Sequence, residues 1–239
     1  LMFTREYMCV PISTGTSLFN PEYLDSAKNK DLVLKPLKRE GMKYFVGVDP
    51  AISTDGDYNV ITVIEMDADE NKSVVYVDRA KNVQFRENIQ KVKLIGQLFR
   101  PEVILFETNT FAKSFTQELR QVADLNIHDF NTTRRKKQEV ILNLQMTLEN
   151  GKMNFPYGNE ESRRVTSVLI EELSMFAITE RGKFEGIGAH DDMVMSLALA
   201  NAATYQATET FILLDDLGLF DDGLSEPKKA ARNSIGLNF

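Results

Sequence analysis

Three short acidic segments carry the residues best able to do chemistry: Val46-Gly47-Val48-Asp49-Pro50, Ile104-Leu105-Phe106-Glu107-Thr108 and Gly188-Ala189-His190-Asp191-Asp192-Met193. The first two close apolar runs with a carboxylate, where a strand would leave a core. The third opens an apolar, helix-like stretch with two more. Strand tips and a helix start can converge, and carboxylates brought together repel one another unless a cation holds them. An oxygen-only cluster suits magnesium or manganese, so the expected chemistry is metal-dependent phosphoryl transfer. Each acid also has a plainer reading. Asp49 before Pro50 fits a turn aspartate, and Glu107 fits the partner of a nearby Arg or Lys. Asp191 and Asp192 fit a helix cap and first-turn acid, although two are more than capping requires. His190 fits a capping or packing residue, with general base as the rival role.

The elements that must position these groups follow from periodicity. The run 43–48 suits a buried strand; 60–66 and 73–78 are further β-rich runs, linked through Asp55-Gly56-Asp57 and Asp67-Ala68-Asp69-Glu70-Asn71. Three consecutive strands with short links favour an antiparallel meander. Helical spacing over 86–99 stops at Pro101, and 103–106 is the next strand. A helix over 113–122, a strand over 127–130 and a helix over 136–149 ending at Asn150-Gly151 follow, then a helix over 162–173. Residues 175–179 and 183–187 flank Glu180-Arg181-Gly182 as a β-hairpin, and the last helix covers 192–204. The fold class is α/β, with a mixed sheet of meander and parallel strands flanked by helices, plus the added hairpin.

Composition narrows the function classes. With 239 residues the chain holds one large domain or one domain plus extensions, and 43% hydrophobic with 26% charged residues is ordinary for a globular protein. No apolar run reaches the length of a membrane span, and no signal-peptide pattern opens the chain. A single cysteine, Cys9, excludes an internal disulfide framework and a cysteine zinc site, which makes a reducing cytoplasmic setting the expectation. Two histidines argue against a histidine-rich metal site. A net charge of −7 argues against a uniformly basic nucleic-acid coat, yet Arg134-Arg135-Lys136-Lys137 forms a compact basic block at a helix start, where cations and backbone N–H groups would meet phosphates. A solvated helix face is the alternative. Lys113 and Ser114 after the Glu107 strand, and Arg181 and Lys183 on the hairpin, are further candidate phosphate contacts. No base-reading motif is evident, so contacts to the backbone with little sequence preference are expected.

The order strand-one Asp, later-strand Glu, late-helix Asp matches the ribonuclease H-like nuclease fold. His190-Asp191-Asp192-Met193-Val194-Met195-Ser196-Leu197 resembles the His-Asp-Asp-x-x-x-Ser/Ala-Leu signature of tailed-phage large terminases. Gly47-Val48-Asp49-Pro50-Ala51 followed by Gly56-Asp57-Tyr58 is similar to that family's opening nuclease motif, and Phe3-Thr4-Arg5-Glu6-Tyr7 to the segment that closes its ATPase domain. The resemblance runs from about residue 3 to residue 205. No Gly-x-x-x-x-Gly-Lys-Ser/Thr phosphate loop occurs, so the chain is expected to be the nuclease half of a longer motor protein. On this reading 1–40 is a linker following the ATPase domain, 41–206 the nuclease domain and 207–239 an acidic flexible tail or docking segment.

The resemblance implies two divalent ions, Mg2+ or Mn2+, about 3.5–4 Å apart. Asp49 would bridge them, with Glu107 and Asp191 or Asp192 completing the separate sites and Asp192 slightly preferred. Asp57 and His190 would support the ligands or belong to a flap. It further implies cleavage of duplex viral DNA during packaging in the host-cell cytoplasm, by a protein absent from the mature virion. The partners would be a portal protein, a small terminase subunit and the protein's own ATPase domain. The rivals are a Holliday-junction resolvase or transposase-like nuclease of the same fold, and a non-catalytic packaging scaffold.

Overall fold

The computed structural model describes residues 17–35, 37–50, 58–108, 113–122, 124–179, 182–187 and 190–206. Helix α1 (Pro21–Ser26) begins at Asn20, whose side-chain oxygen accepts the Glu22 amide at 2.9 Å, with Pro21 already at the helical φ. Strand β1 (Lys28–Asn29) precedes the meander β2 (Lys43–Asp49), β3 (Asn59–Met66) and β4 (Lys72–Ala80). Helix α2 (Phe85–Phe99) ends where Arg100 turns left-handed, just before Pro101. Then come β5 (Val103–Glu107), α3 (Lys113–Val122), β6 (Ile127–Phe130), α4 (Arg134–Glu149), β7 (Met153–Pro156) and α5 (Glu160–Ser174). The hairpin β8 (Phe176–Ile178) and β9 (Phe184–Gly186) leads into α6 (Asp192–Gln206).

Seven strands form one sheet in the order β1-β7-β4-β3-β2-β5-β6, and the hairpin forms its own small sheet. The pairs β2/β3 and β3/β4 are antiparallel, whereas β2/β5, β5/β6, β4/β7 and β1/β7 are parallel. This is the expected mixed α/β architecture. The central strands read as unbroken apolar runs because both faces are covered. Phe45, Val60, Ile64 and Leu105 face α4, α5 and α6, while Tyr44, Val46, Val48, Ile61 and Phe106 face α2 and α3. Helix α6 is buried from Met193 to Thr204, which explains a sequence apolar on every side. It packs directly on β2: a Cβ at Gly47 would run into the Ser196 carbonyl and the Ala200 amide. The Ser196 hydroxyl donates to the Gly47 carbonyl at 3.0 Å and lies 3.0 Å from Thr62 Oγ1.

Within residues 17–35, Phe19 and Leu24 are each 1% exposed within the main core, and β1 pairs with β7. These elements are too short to show periodicity, and only tertiary packing defines them. Residues 1–16 and 207–239, including the expected tail, lie outside the described residues.

Candidate active site

Strands β2 and β5 run parallel as neighbours, with Val48 opposite Phe106, so Asp49 and Glu107 follow as adjacent residues on one edge of the sheet. Pro50 cannot donate to the ladder and so ends β2, while past Glu107 the Thr108 amide still donates to the Phe130 carbonyl of β6 at 2.8 Å. Asp49 keeps part of its surface open to solvent, yet the surrounding protein is dense enough for desolvation to dominate its behaviour. Burial raises its carboxyl well above the usual range; the Glu107 charge and a hydrogen bond shared with Glu107 raise it further, followed by Asp192 and Asp191. These four acids thus sit in one electrostatic neighbourhood.

The packing of α6 on Gly47 sets where Asp191 and Asp192 arrive. Asp191 begins the helix, its carbonyl accepting the Met195 amide at 2.9 Å. Its carboxylate forms a 2.8 Å ion pair with Lys137 Nζ from the first turn of α4. Asp192 Oδ2 accepts the Tyr58 amide at 3.1 Å and stands 3.6 Å from His190 Nδ1. His190 meets the Tyr58 ring edge-on, with centroids 5.0 Å apart. Both helix-start acids gain from the dipole of α6.

Among the described residues, no three acidic or histidine side chains stand close enough together to enclose an ion as placed. Lys137 engages Asp191 Oδ2 and the Tyr58 amide engages Asp192 Oδ2. The donor set itself is all carboxylate, the chemistry a hard divalent cation takes.

The other expected residues divide. Asp57 and Arg181 lie outside the described residues, and of Lys113 only the backbone, opening α3, is described. Arg134, Arg135, Lys136 and Lys137 form the first turn of α4, capped by Thr133. Arg134 donates to the Gly182 carbonyl at 2.9 Å, tying α4 to the hairpin that carries exposed Lys183. Lys137 proves to be a partner of the acids.

Two residues of the site escape sequence reading, Arg79 and Glu172, and both connect to Tyr58 or to the start of α6. Glu172 on α5 is 3% exposed and accepts the Met193 amide at 2.9 Å and the Arg79 guanidinium at 2.9 Å, holding the first turn of α6. Burial pushes its carboxyl up to about 7 despite both donors, with the Asp192 charge adding to the rise. The Arg79 guanidinium stacks 3.3 Å from the Tyr58 ring centroid. A glutamate on an amphipathic helix and an arginine near a strand end ordinarily face water, so neither carries a signal.

Residues 46–203 match the family model for the terminase RNaseH-like domain. The chain is similar to the large terminase nuclease of thermophilic phage G20c, solved with bound magnesium: 22% identity and TM-score 0.60, covering 80% of this chain and 98% of that one. The same nuclease was also solved with cobalt, at 21% and 0.57, and with zinc, at 22% and 0.53. The nuclease domain of the Thermus phage P74-26 large terminase is similar at 22% identity and TM-score 0.56, covering 77% and 93%. The HK97 bacteriophage large terminase matches at 12% and 0.58, over 84% of this chain and 46% of that one. No curated protein matches the chain. At these identities the structures speak for the fold, and the family rests on the match over 46–203: the chain belongs to the terminase RNaseH-like domain family.

Proposed function

We propose that this protein is a metal-dependent endonuclease that cuts duplex viral DNA concatemers during genome packaging, with Asp49, Glu107, Asp191 and Asp192 as its metal-binding catalytic acids. The observation that carries this reading is the placement of Asp49 and Glu107 at the ends of neighbouring parallel strands beside the helix start that bears Asp191 and Asp192, where burial first, and then the charges of the other three acids, raise the Asp49 carboxyl above its usual range. A site so negative favours divalent cations, and the G20c nuclease of the same fold was solved with magnesium, cobalt and zinc bound. Mg2+ or Mn2+ is the cofactor proposed for this chain, as two ions.

When bound, such ions supply an acidified water and neutralise charge at the scissile phosphate and the departing oxygen. The protein's own residues do the rest. Asp49 and Glu107 project from rigid strand ends, which fixes their separation better than a loop would. The Tyr58 amide orients Asp192, and Glu172 anchors the turn that presents it. Lys137 offsets one negative charge and places an ammonium where a phosphate would approach. Arg134, Arg135 and Lys136 extend that cationic strip along α4, with Lys113, Arg181 and Lys183 as further contacts and Asp57 and His190 as supporting residues. In this reading the protein works in the host-cell cytoplasm, beside a portal protein, a small terminase subunit and an ATPase domain of the same polypeptide.

The test is nicking of supercoiled plasmid in Mn2+ by wild type and Asp49→Asn, together with calorimetric Mn2+ titration. Cutting by wild type only, with loss of Mn2+ binding in the variant, is expected. Equal cutting by both proteins would end the assignment, and a strong preference for four-way junctions over linear duplex would favour a resolvase.

A further inference from the structure

The edge of the sheet that carries the acids continues beyond them on both sides. In the order β4-β3-β2-β5-β6 the acids occupy the middle, at the ends of β2 and β5. On the β6 side the chain enters α4, whose first turn bears Arg134 to Lys137. On the β4 side the register runs Asp49 to Val60 to Arg79, placing Arg79 in the same row as Asp49, two strands away. Val60 faces α6, so Arg79 lies on the same face of the sheet as the start of that helix.

Arg79 itself is engaged, because Glu172 takes its guanidinium. Lys81, just past the end of β4, is not. It is exposed, its ammonium stands 4.4 Å from the Tyr58 ring centroid, and no carboxylate pairs with it among the described residues. Tyr58 is fixed beneath it, with Arg79 stacked on the ring and its own amide bonded to Asp192. The result is a positive charge held on an aromatic platform beside the acid pocket. Four interstrand spacings separate β4 from β6, about 19 Å, or five to six phosphate steps of one strand at about 3.4 Å each.

We infer that Lys81, standing on Tyr58 at the end of β4, binds a DNA backbone phosphate on the side of the acid pocket away from α4. The substrate is then gripped from both flanks. A one-sided grip would let a polyanion swing away from four carboxylates; a cation on each flank holds the backbone across them. The contact is to phosphate, so it adds affinity without sequence preference.

This inference rests on the nuclease reading, and the experiment separates the two. Binding of a labelled duplex is measured by anisotropy across a salt series, in an Asp49→Asn background that does not cut. Lys81→Ala is expected to weaken binding by roughly three- to tenfold and to lower the slope of log K against log salt by about 0.9. Lys81→Arg should retain both. In the cutting-competent protein, Lys81→Ala should raise KM for plasmid more than it lowers kcat, with Mn2+ affinity unchanged. If Lys81→Ala leaves affinity and salt slope at wild-type values while Arg135→Ala lowers both, the Lys81 contact is wrong and the nuclease reading stands. If wild type neither binds nor cuts duplex, the nuclease reading itself fails.

Discussion

The two ends of α6 face opposite electrostatic problems. At its start, Asp191 and Asp192 join Asp49 and Glu107, with Lys137 paired to one of the four. Near its end, a single buried cation, Lys72, is met by neutral groups: its Nζ donates to Asn201 Oδ1 at 3.0 Å and lies 4.1 Å from the Tyr205 ring centroid. Both arrangements follow the helix dipole, acids at the N-terminus and a cation at the C-terminus. They differ in number and access. The basic end closes over one charge and leaves Lys72 only 4% exposed, whereas the acid end gathers like charges and stays partly open. A protein that needed only stability would not crowd four carboxylates.

The sharpest way to break this contrast is Asp49→Asn. Cleavage should fall by at least about a thousandfold, the scale on which a residue central to catalysis counts. The metal-free protein should nonetheless melt higher by differential scanning calorimetry. The carboxyl's folded-state pKa is raised, so its charged form destabilises the fold at neutral pH. Mn2+ should raise the melting temperature of wild type and leave that of the variant unmoved. A lower metal-free melting temperature in Asp49→Asn would show that the acids are not in conflict.

Lys72→Met tests the closed end, and cutting should survive it. Burial lowers the Lys72 pKa from 10.5 to about 8, so the folded protein loses that proton before the unfolded chain does. Stability should therefore rise, relative to Lys72→Met, between pH 8 and pH 10.5, by up to about 3 kcal/mol in urea titrations. Parallel curves for the two proteins over that window would remove the buried cation from the comparison.

Glu172→Gln probes the group that links the acids to α5. Its folded-state value of about 7 lies above the unfolded 4.5, so its contribution is present below pH 4.5 and lost as pH climbs through 7. The variant should flatten that decline by about 2 kcal/mol, discounted for the partly exposed Arg79 partner. Smallest is Ser196→Ala, which removes the hydroxyl joining α6 to Gly47 and should cost about 1 kcal/mol in chemical denaturation without altering the charge of either end.

The acid end was legible in the sequence as a pattern, because a carboxylate closing an apolar run contradicts its surroundings, as Glu107 does after Val-Ile-Leu-Phe. The sheet was equally legible, since β-branched runs buried on both faces leave an uninterrupted pattern. Glu172 and Lys72 were hidden, because a charged residue in an amphipathic element reads as solvent-facing until its neighbours are known. Strand β7 and the segment around Phe19 and Leu24 were hidden for another reason. They are short, and pairing with distant chain defines them: the Phe155 amide donates to the Ala27 carbonyl at 2.7 Å. Lys137 was expected beside phosphate, but a helix start alone does not reveal that its ammonium reaches Asp191.

The stitching of Ser17 and Leu18 onto β8 has a mechanical consequence. Ser17 bridges Ala177, and the Leu18 amide donates to the Phe176 carbonyl at 2.9 Å, so the chain arriving from upstream is sewn to the hairpin. That hairpin is fastened to α4 through Arg134, and its second strand runs on toward Asp191 and Asp192. Tension on the upstream polypeptide therefore bears on the hairpin that precedes Asp191 and Asp192 in the chain before it reaches β1 and the main sheet.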